Sequence, residues 1–268
     1  MQLGICTNMN TTDADDLGLN QIPYCKQLGL EYIELSLDRL MRYDDARFEA
    51  LVQSLSTDSL PCPTCNNFFP PGVRLVGNEF QQDIFESYVK KALARASLLG
   101  VGKVVFGSAG ARTVPSDFSM ETAKEQIFNR LCFIADVAEK NGIEIEIEHL
   151  NRLECNIINT FEESTALAKR LSRPNVKSIF DYYHFALSGE REELIAQNGA
   201  WIGHIHFACT LGRHMPDIYD AKNLQHIFTI LRNLAYDGTF SFEAYFPGLK
   251  MDDLKYKEVV SFVKEALS

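Results

Sequence analysis

The chain has 268 residues, of which 46% are hydrophobic and 23% charged, enough for a sizeable packed core and far from the composition of a disordered protein. A formal charge of −10 argues against a nucleic-acid partner, whose phosphates are neutralised by Lys and Arg, but not against a small phosphorylated substrate held in one local basic pocket. No apolar run approaches the ~18 residues of a membrane span and no basic-then-apolar start resembles a signal peptide, so a cytoplasmic protein without a membrane partner is expected.

In chain order, short apolar runs read as strands near 2–6, 31–35, 60–66, 102–106, 143–148, 176–181, 201–206 and 239–243. Between them, helices are expected near 16–28, 44–55, 79–99, 119–140, 161–171, 185–197, 222–235 and 252–266. Phe85, Val89, Ala92, Ala96 and Leu99 form one helical stripe, and Ile127, Leu131, Ile134, Ala135 and Ala138 another. Gly29, Gly100, Gly142 and Gly238 stand at helix–strand junctions, where a left-handed residue commonly ends the helix. Eight alternating units predict a single-domain (β/α)8 TIM barrel spanning 1–268, with no Pro/Ser-rich linker inside it.

The irregular stretches 66–77, 107–117 and 207–220 all follow strands and so belong to the catalytic face of such a barrel. In the first, Phe68 and Phe69 read either as a water-excluding lid or as a contact with a partner subunit. In the second, Gly107–Arg112 could cradle a phosphate with backbone N–H groups, or simply turn tightly. Cys62 and Cys65 form a lone C-x-x-C without the second pair that a structural zinc site wants, and read as reduced thiols.

Barrel chemistry sits at the C-terminal ends of strands. Strands five to eight end on Glu148 ("EIEHLNR"), Asp181 ("SIFDYYH"), His206 ("IGHIHFA") and Glu243 ("FSFEAYF"). Each alone has a dull explanation: a strand-end acid caps the next helix or faces water, and a histidine is often satisfied in a core. Four at matching ends of successive strands make a metal site of three carboxylates and one imidazole, a hard set that suits Mn²⁺, Mg²⁺ or Co²⁺ better than zinc. Glu144, Glu146 and Glu148 alternate onto one face of strand five. Glu146 and His204 then lie one layer below Glu148 and His206, and a Glu146–His204 hydrogen bond or ion pair is expected beneath the metal, with Glu144 solvated.

"EHLNRLE", "DYYH", "GHIHFACTLGRHMP" and "FSFEAY" together resemble the motifs of the sugar isomerase/epimerase group within the xylose-isomerase-like barrels. That group includes ketose 3-epimerases of the tagatose/psicose type, hydroxypyruvate isomerases and inosose-processing enzymes. The resemblance covers residues 143–246 and implies one divalent ion, Mn²⁺ before Mg²⁺, Co²⁺ or Zn²⁺, on Glu148, Asp181, His206 and Glu243. It also makes Glu148 and Glu243 the acid/base pair, assigns Glu154, His184 and Arg213 to substrate, and suggests a homodimer or homotetramer. Where the group commonly continues G-R-H-x-P-G, this chain reads "GRHMPD", with Asp217 in place of glycine. Arg152 reads either as a substrate contact or as a partner of Glu154 that braces its loop, and bracing is the expectation. The implied activity is epimerisation or isomerisation of a ketose through an enediolate, with an inosose-type dehydratase as the alternative. A zinc nuclease of related fold would need more than the six histidines present.

Overall fold

The computed structural model describes residues 1–56, 59–246 and 254–268. Eight parallel strands close into a barrel in sequence order: β1 (Gln2–Cys6), β2 (Tyr32–Ser36), β3 (Thr64–Asn66), β4 (Lys103–Phe106), β5 (Glu144–Ile147), β6 (Val176–Asp181), β7 (Ile202–Phe207) and β8 (Thr239–Phe242). β1 pairs with both β2 and β8, so no strand has an open edge. This is a TIM barrel, as the alternation of strands and helices predicts.

The helices pack outside, each with its apolar stripe turned to the strands. In the helix Met120–Lys140, Ala123, Ile127, Leu131, Ile134, Ala135 and Ala138 are buried, and Ser119 caps the N-terminus by accepting from Thr122 N. Burying each large side chain of such a stripe contributes about 1.5–3 kcal/mol. Phe68 and Phe69 are neither lid nor subunit contact. They are buried, stacked at 4.2 Å, and Phe69 packs on Phe85, Tyr88 and Phe106. Among the described residues no helix is long and apolar enough to cross a membrane.

Local chemistry explains where boundaries differ from expectation. β3 is three residues long rather than seven because Pro61 and Pro63 have no N–H to donate, although their carbonyls still accept from Ile33 and from Gly102 and Lys103. The helix expected over 185–197 is two, Tyr182–Leu187 and Glu193–Gln197, with Gly189 at a φ of 66° between them. The helix expected over 222–235 likewise divides into Ile218–Asn223 and Gln225–Asn233, and the last helix is described from Leu254 to Leu267, positions 252 and 253 lying outside the described residues. Gly29, Gly100 and Gly142 do adopt positive φ. At the fourth junction Ala235 takes the left-handed conformation, and Gly238 is needed instead because a Cβ there would overlap the Tyr236 hydroxyl.

The helix Phe161–Leu171 receives a carboxylate from a distant loop: Glu190 accepts from Phe161 N at 2.9 Å and Glu162 N at 3.4 Å. Burial pushes the Glu190 carboxyl up to about 7, only partly offset by those two N–H groups. A carboxyl whose pKa is raised by folding contributes stability below its unfolded pKa of about 4.3, and that contribution is lost as the pH rises through the folded value. Glu190→Gln keeps an oxygen acceptor without a charge. Its Tm relative to wild type is therefore expected to climb between about pH 5 and about pH 8, as thermal melts in matched buffers would register. A pH-independent difference would contradict this reading.

Candidate metal centre and active site

The four strand-end residues converge. Glu148, Asp181, His206 and Glu243 each offer a donor atom, all within 4.8 Å of one another, and all four are buried. Strand pairing sets the convergence: Asp181 lies beside His206 across β6–β7, Glu148 N donates to Phe106 O, and Glu243 N donates to Phe207 O. Nδ1 of His206 lies 3.2 Å from Glu243, 3.6 Å from Glu148 and 3.9 Å from Asp181.

Asp181 divides its labour between its two oxygens. One accepts from His184 N at 3.0 Å and caps the helix Tyr182–Leu187, while Oδ2 is buried without a hydrogen-bond partner. The helix-cap explanation of a strand-end acid and the site explanation are thus both true of this residue. Nδ1 of His206 is likewise buried without a hydrogen-bond partner. Two unsatisfied buried donor atoms facing two further carboxylates fit a divalent cation, which would satisfy all four at once.

The charges around this centre are out of balance in a way that points the same direction. Burial, with Glu148 and Glu243 nearby, pushes the Asp181 carboxyl up to about 8 despite Arg213. Burial would also raise Glu243, but Arg213 and His206 outweigh it and hold that carboxyl below the ordinary range. For His206, burial favours the neutral ring, yet Glu34, Cys6 and Glu243 together lift its pKa well above the ordinary histidine value.

Beneath the centre lies a residue that sequence reasoning missed. Glu34 on β2 is fully buried and accepts four hydrogen bonds: from Nε2 of His204 and of His206, both at 2.9 Å, from Thr64 Oγ1 at 2.9 Å, and from Ser241 Oγ at 2.6 Å. The two imidazoles outweigh burial and hold its carboxyl well below the usual range. Because a carboxylate only accepts, His206 holds a proton on Nε2, and Nδ1 is the nitrogen left to meet an ion, giving up its own proton when one binds.

The expected Glu146–His204 bond is therefore wrong. His204 is taken by Glu34 and, at Nδ1, by Thr239. Neither oxygen of Glu146 has a hydrogen-bond partner; the side chain lies against Gly203, where a Cβ would overlap it. The β6–β7 register shifts there, Ser178 facing Ile202 and Ile179 facing His204, so strand seven does not keep a simple period of two. Burial, followed by Glu144, raises the Glu146 carboxyl well above the ordinary range. Glu144 is only part-exposed and lies 3.9 Å from Lys103 and 3.6 Å from Lys177 rather than free in water.

The residues expected to meet substrate surround the centre. Arg213, with its backbone at a φ of 49°, reaches in from the loop after β7 to pair with Glu243, and lies 3.7 Å from both Asp181 and Glu154. Its guanidinium stacks 4.6 Å over the Tyr183 ring. Glu154 also accepts from Asn151 Nδ2 at 3.0 Å, whereas Arg152 is exposed and does not brace it. His184 is buried; its Nδ1 accepts from Asn151 N at 3.1 Å, and Nε2 lies 3.8 Å from Asp181. The Gly107–Arg112 stretch turns into the short helix Ala109–Arg112, whose Arg112 is buried and donates to Phe106 O.

Gly107, the first residue of that stretch, also has a role toward Glu148 that the sequence does not reveal. A Cβ at Gly107 would overlap Glu148 Oε2. Gly107→Ala is expected to displace that carboxylate and weaken divalent-metal binding about 10- to 100-fold, the range for residues that orient a ligand. Titration calorimetry with Mn²⁺ checks this; an unchanged Kd would mean that Glu148 does not contribute to binding.

The sequence profile of the family described as "Xylose isomerase-like TIM barrel" matches residues 22–266, and the chain belongs to that family. It is 27% identical over 157 residues to a 2-oxo-tetronate isomerase of Cupriavidus necator, covering 58% of this chain and 59% of that one. The chain spans about three fifths of the length of the first curated relatives it matches. A solved D-psicose 3-epimerase of Clostridium cellulolyticum H10, crystallised with D-tagatose, superposes with a TM-score of 0.84 at 20% identity over the whole of both chains. The IOLI protein, solved with a bound zinc atom, superposes with a TM-score of 0.70 at 21% identity, covering 99% of this chain and 96% of that one.

Proposed function

We propose that this member of the xylose isomerase-like TIM barrel family is a metal-dependent sugar epimerase or isomerase that acts on a ketose or keto-sugar derivative. The observation that carries the reading is the pair of carboxylates, Glu148 and Glu243, flanking the unpartnered Nδ1 of His206 from two different strands. Glu148, Asp181, His206 and Glu243 would hold the ion, Mn²⁺ by the hardness of the donors, although the zinc of the IOLI structure keeps zinc a candidate. When bound, a divalent ion polarises the substrate carbonyl and stabilises the negative charge that develops on it by several kcal/mol.

The chain's own residues do the rest. One glutamate removes the proton on the carbon beside the carbonyl, giving an enediolate, and the other returns a proton to the opposite face. That sequence inverts the carbon; return to the neighbouring carbon would give an aldose–ketose isomerisation instead. Glu243 suits the role of base because Arg213 beside it holds its carboxyl below the ordinary range. Arg213, Glu154 and His184, gathered around the cluster, would meet the hydroxyls of a bound sugar. The partner is thus a small sugar.

The test is hydrogen exchange. Mn²⁺-loaded protein is incubated in D₂O with free and phosphorylated ketoses and followed by NMR. Deuterium at the carbon that inverts establishes an epimerase, exchange at the carbons that trade the carbonyl establishes an isomerase, and loss of a hydroxyl would identify a dehydratase. No exchange with any ketose of the panel would refute the proposal.

A further inference from the structure

A second cluster of metal-binding side chains lies outside the barrel centre, where the loop after β7 meets the helix Ile218–Asn223. Cys209, His214 and Asp220 each offer a donor atom, all within 4.8 Å of one another. The loop backbone brings them together: Cys209 N donates to His214 O at 3.0 Å, and Met215 N donates to Tyr245 O at 2.9 Å, laying the segment beside the chain that leaves β8. Asp220 is held by a capping box, one oxygen accepting from Asp217 N at 3.1 Å. Nδ1 of His214 lies 2.8 Å from Met215 O, so the neutral ring carries its proton there and leaves the lone pair on Nε2. A backbone carbonyl fixing one nitrogen in this way is the usual support for a metal-binding histidine.

We propose that Cys209, His214 and Asp220 form a second cation site, for a zinc-class ion, which pins the loop carrying Arg213. Thiolate, imidazole and carboxylate together are a borderline-soft set, the reverse of the hard donors in the barrel centre. A tetrahedral ion with bonds of about 2.0–2.3 Å needs its donors roughly 3.3–3.8 Å apart, so a small inward closure completes the site and water takes the fourth position. Cys209 is buried, and burial followed by Asp220 holds its thiol well above the ordinary range. Binding therefore converts the thiol to a thiolate: the S–H bond breaks, the metal–sulfur bond forms, and one proton leaves to solvent. The consequence lies at the loop tip. Gly212 and Arg213 both have positive φ, Leu211 is 83% exposed, and Arg213 reaches Glu243 and Asp181 from there. An ion tying residue 209 to 214 and 220 closes the base of that tip and fixes where Arg213 can stand.

Cobalt(II) added to the full-length protein reads the site directly, because only a thiolate ligand gives sulfur-to-cobalt charge-transfer absorption. Wild type is expected to show the band at one thiolate per chain. Cys6 lies near His206 and is the competing source, so Cys6→Ser must keep the band and Cys209→Ser must lose it. His214→Gln, which retains the thiol, is expected to lower cobalt affinity at this band by about 10-fold or more, and covers the case that Cys209→Ser folds poorly. With Zn²⁺ at about ten times its Kd, proteolytic nicking near Leu211 is expected to slow about 10-fold, since local opening is suppressed by the factor 1 + [L]/Kd. Absence of the band in wild type, its survival in Cys209→Ser, or nicking that ignores zinc would overturn the proposal. None of these outcomes depends on whether the barrel turns over a sugar.

Discussion

Glu148→Gln and Glu243→Gln are each expected to cut epimer interconversion by about 10²- to 10⁴-fold, the contribution of a positioned acid or base. The sharper expectation is asymmetric. If two groups serve opposite faces of one carbon, removing one leaves the other able to take a proton from a single epimer and hand back a deuteron from solvent. Each variant should therefore exchange the hydrogen of one epimer without converting it and leave the other epimer untouched, with the epimers reversed between the two variants. The double variant should exchange neither, and its loss should fall short of the product of the single losses, because residues acting as a unit are not additive. NMR of each purified epimer in D₂O reads all four cases. Equal exchange of both epimers in either single variant would remove that glutamate from the proton path. Mn²⁺ affinity measured alongside separates loss of a base from loss of a ligand, since both residues belong to the same cluster.

Glu34→Ala is the second large effect. It leaves Thr64, Ser241 and the two imidazoles of His204 and His206 buried without their shared acceptor. Breaking one side of a buried ionic network costs about 3–5 kcal/mol, a large share of the stability of an ordinary domain. Because Glu34 also sets which nitrogen of His206 carries the proton, metal affinity is expected to fall about 10- to 100-fold. Urea denaturation in the presence of a chelator measures the first effect and Mn²⁺ titration of the folded variant the second. A variant as stable as wild type would mean that Glu34 is dispensable to the barrel interior. Glu34→Gln, which retains one acceptor oxygen, should be milder in stability.

The barrel was legible because its two periods are strong. Helical stripes such as Ile127–Ala138 and junction glycines such as Gly100 and Gly142 each follow from local sterics and burial. The four strand-end residues were legible for a related reason: topology alone puts the last residue of each strand at one rim, so a type and a position suffice. Glu34 was not, because one acid in "YIELS" alternates with its neighbours just as a solvent-facing acid would. Only closure of the ring shows that its face is the interior. The partner of His204 was misjudged because an irregularity at Gly203 leaves no mark on the hydrophobic pattern. The split near Gly189 and the short β3 were visible as Gly and Pro, but the run of helix- or strand-forming residues around them dominated the reading.

The contacts of Glu34 also bear on the order in which the molecule comes into being on a ribosome. Its carboxylate is made early, yet its imidazole partners lie 170 and 172 positions further along and Ser241 lies 207 positions further. A growing chain exposes that acid to solvent until β7 and β8 have emerged, and contacts of such separation are among the slowest to form. The carboxylates of β5 and β6 are synthesised after Glu34 but before the imidazole of β7 and before Glu243 at the end of β8. If the four strand-end residues hold an ion as proposed, no competent centre exists through most of translation, and loading follows ring closure rather than guiding it.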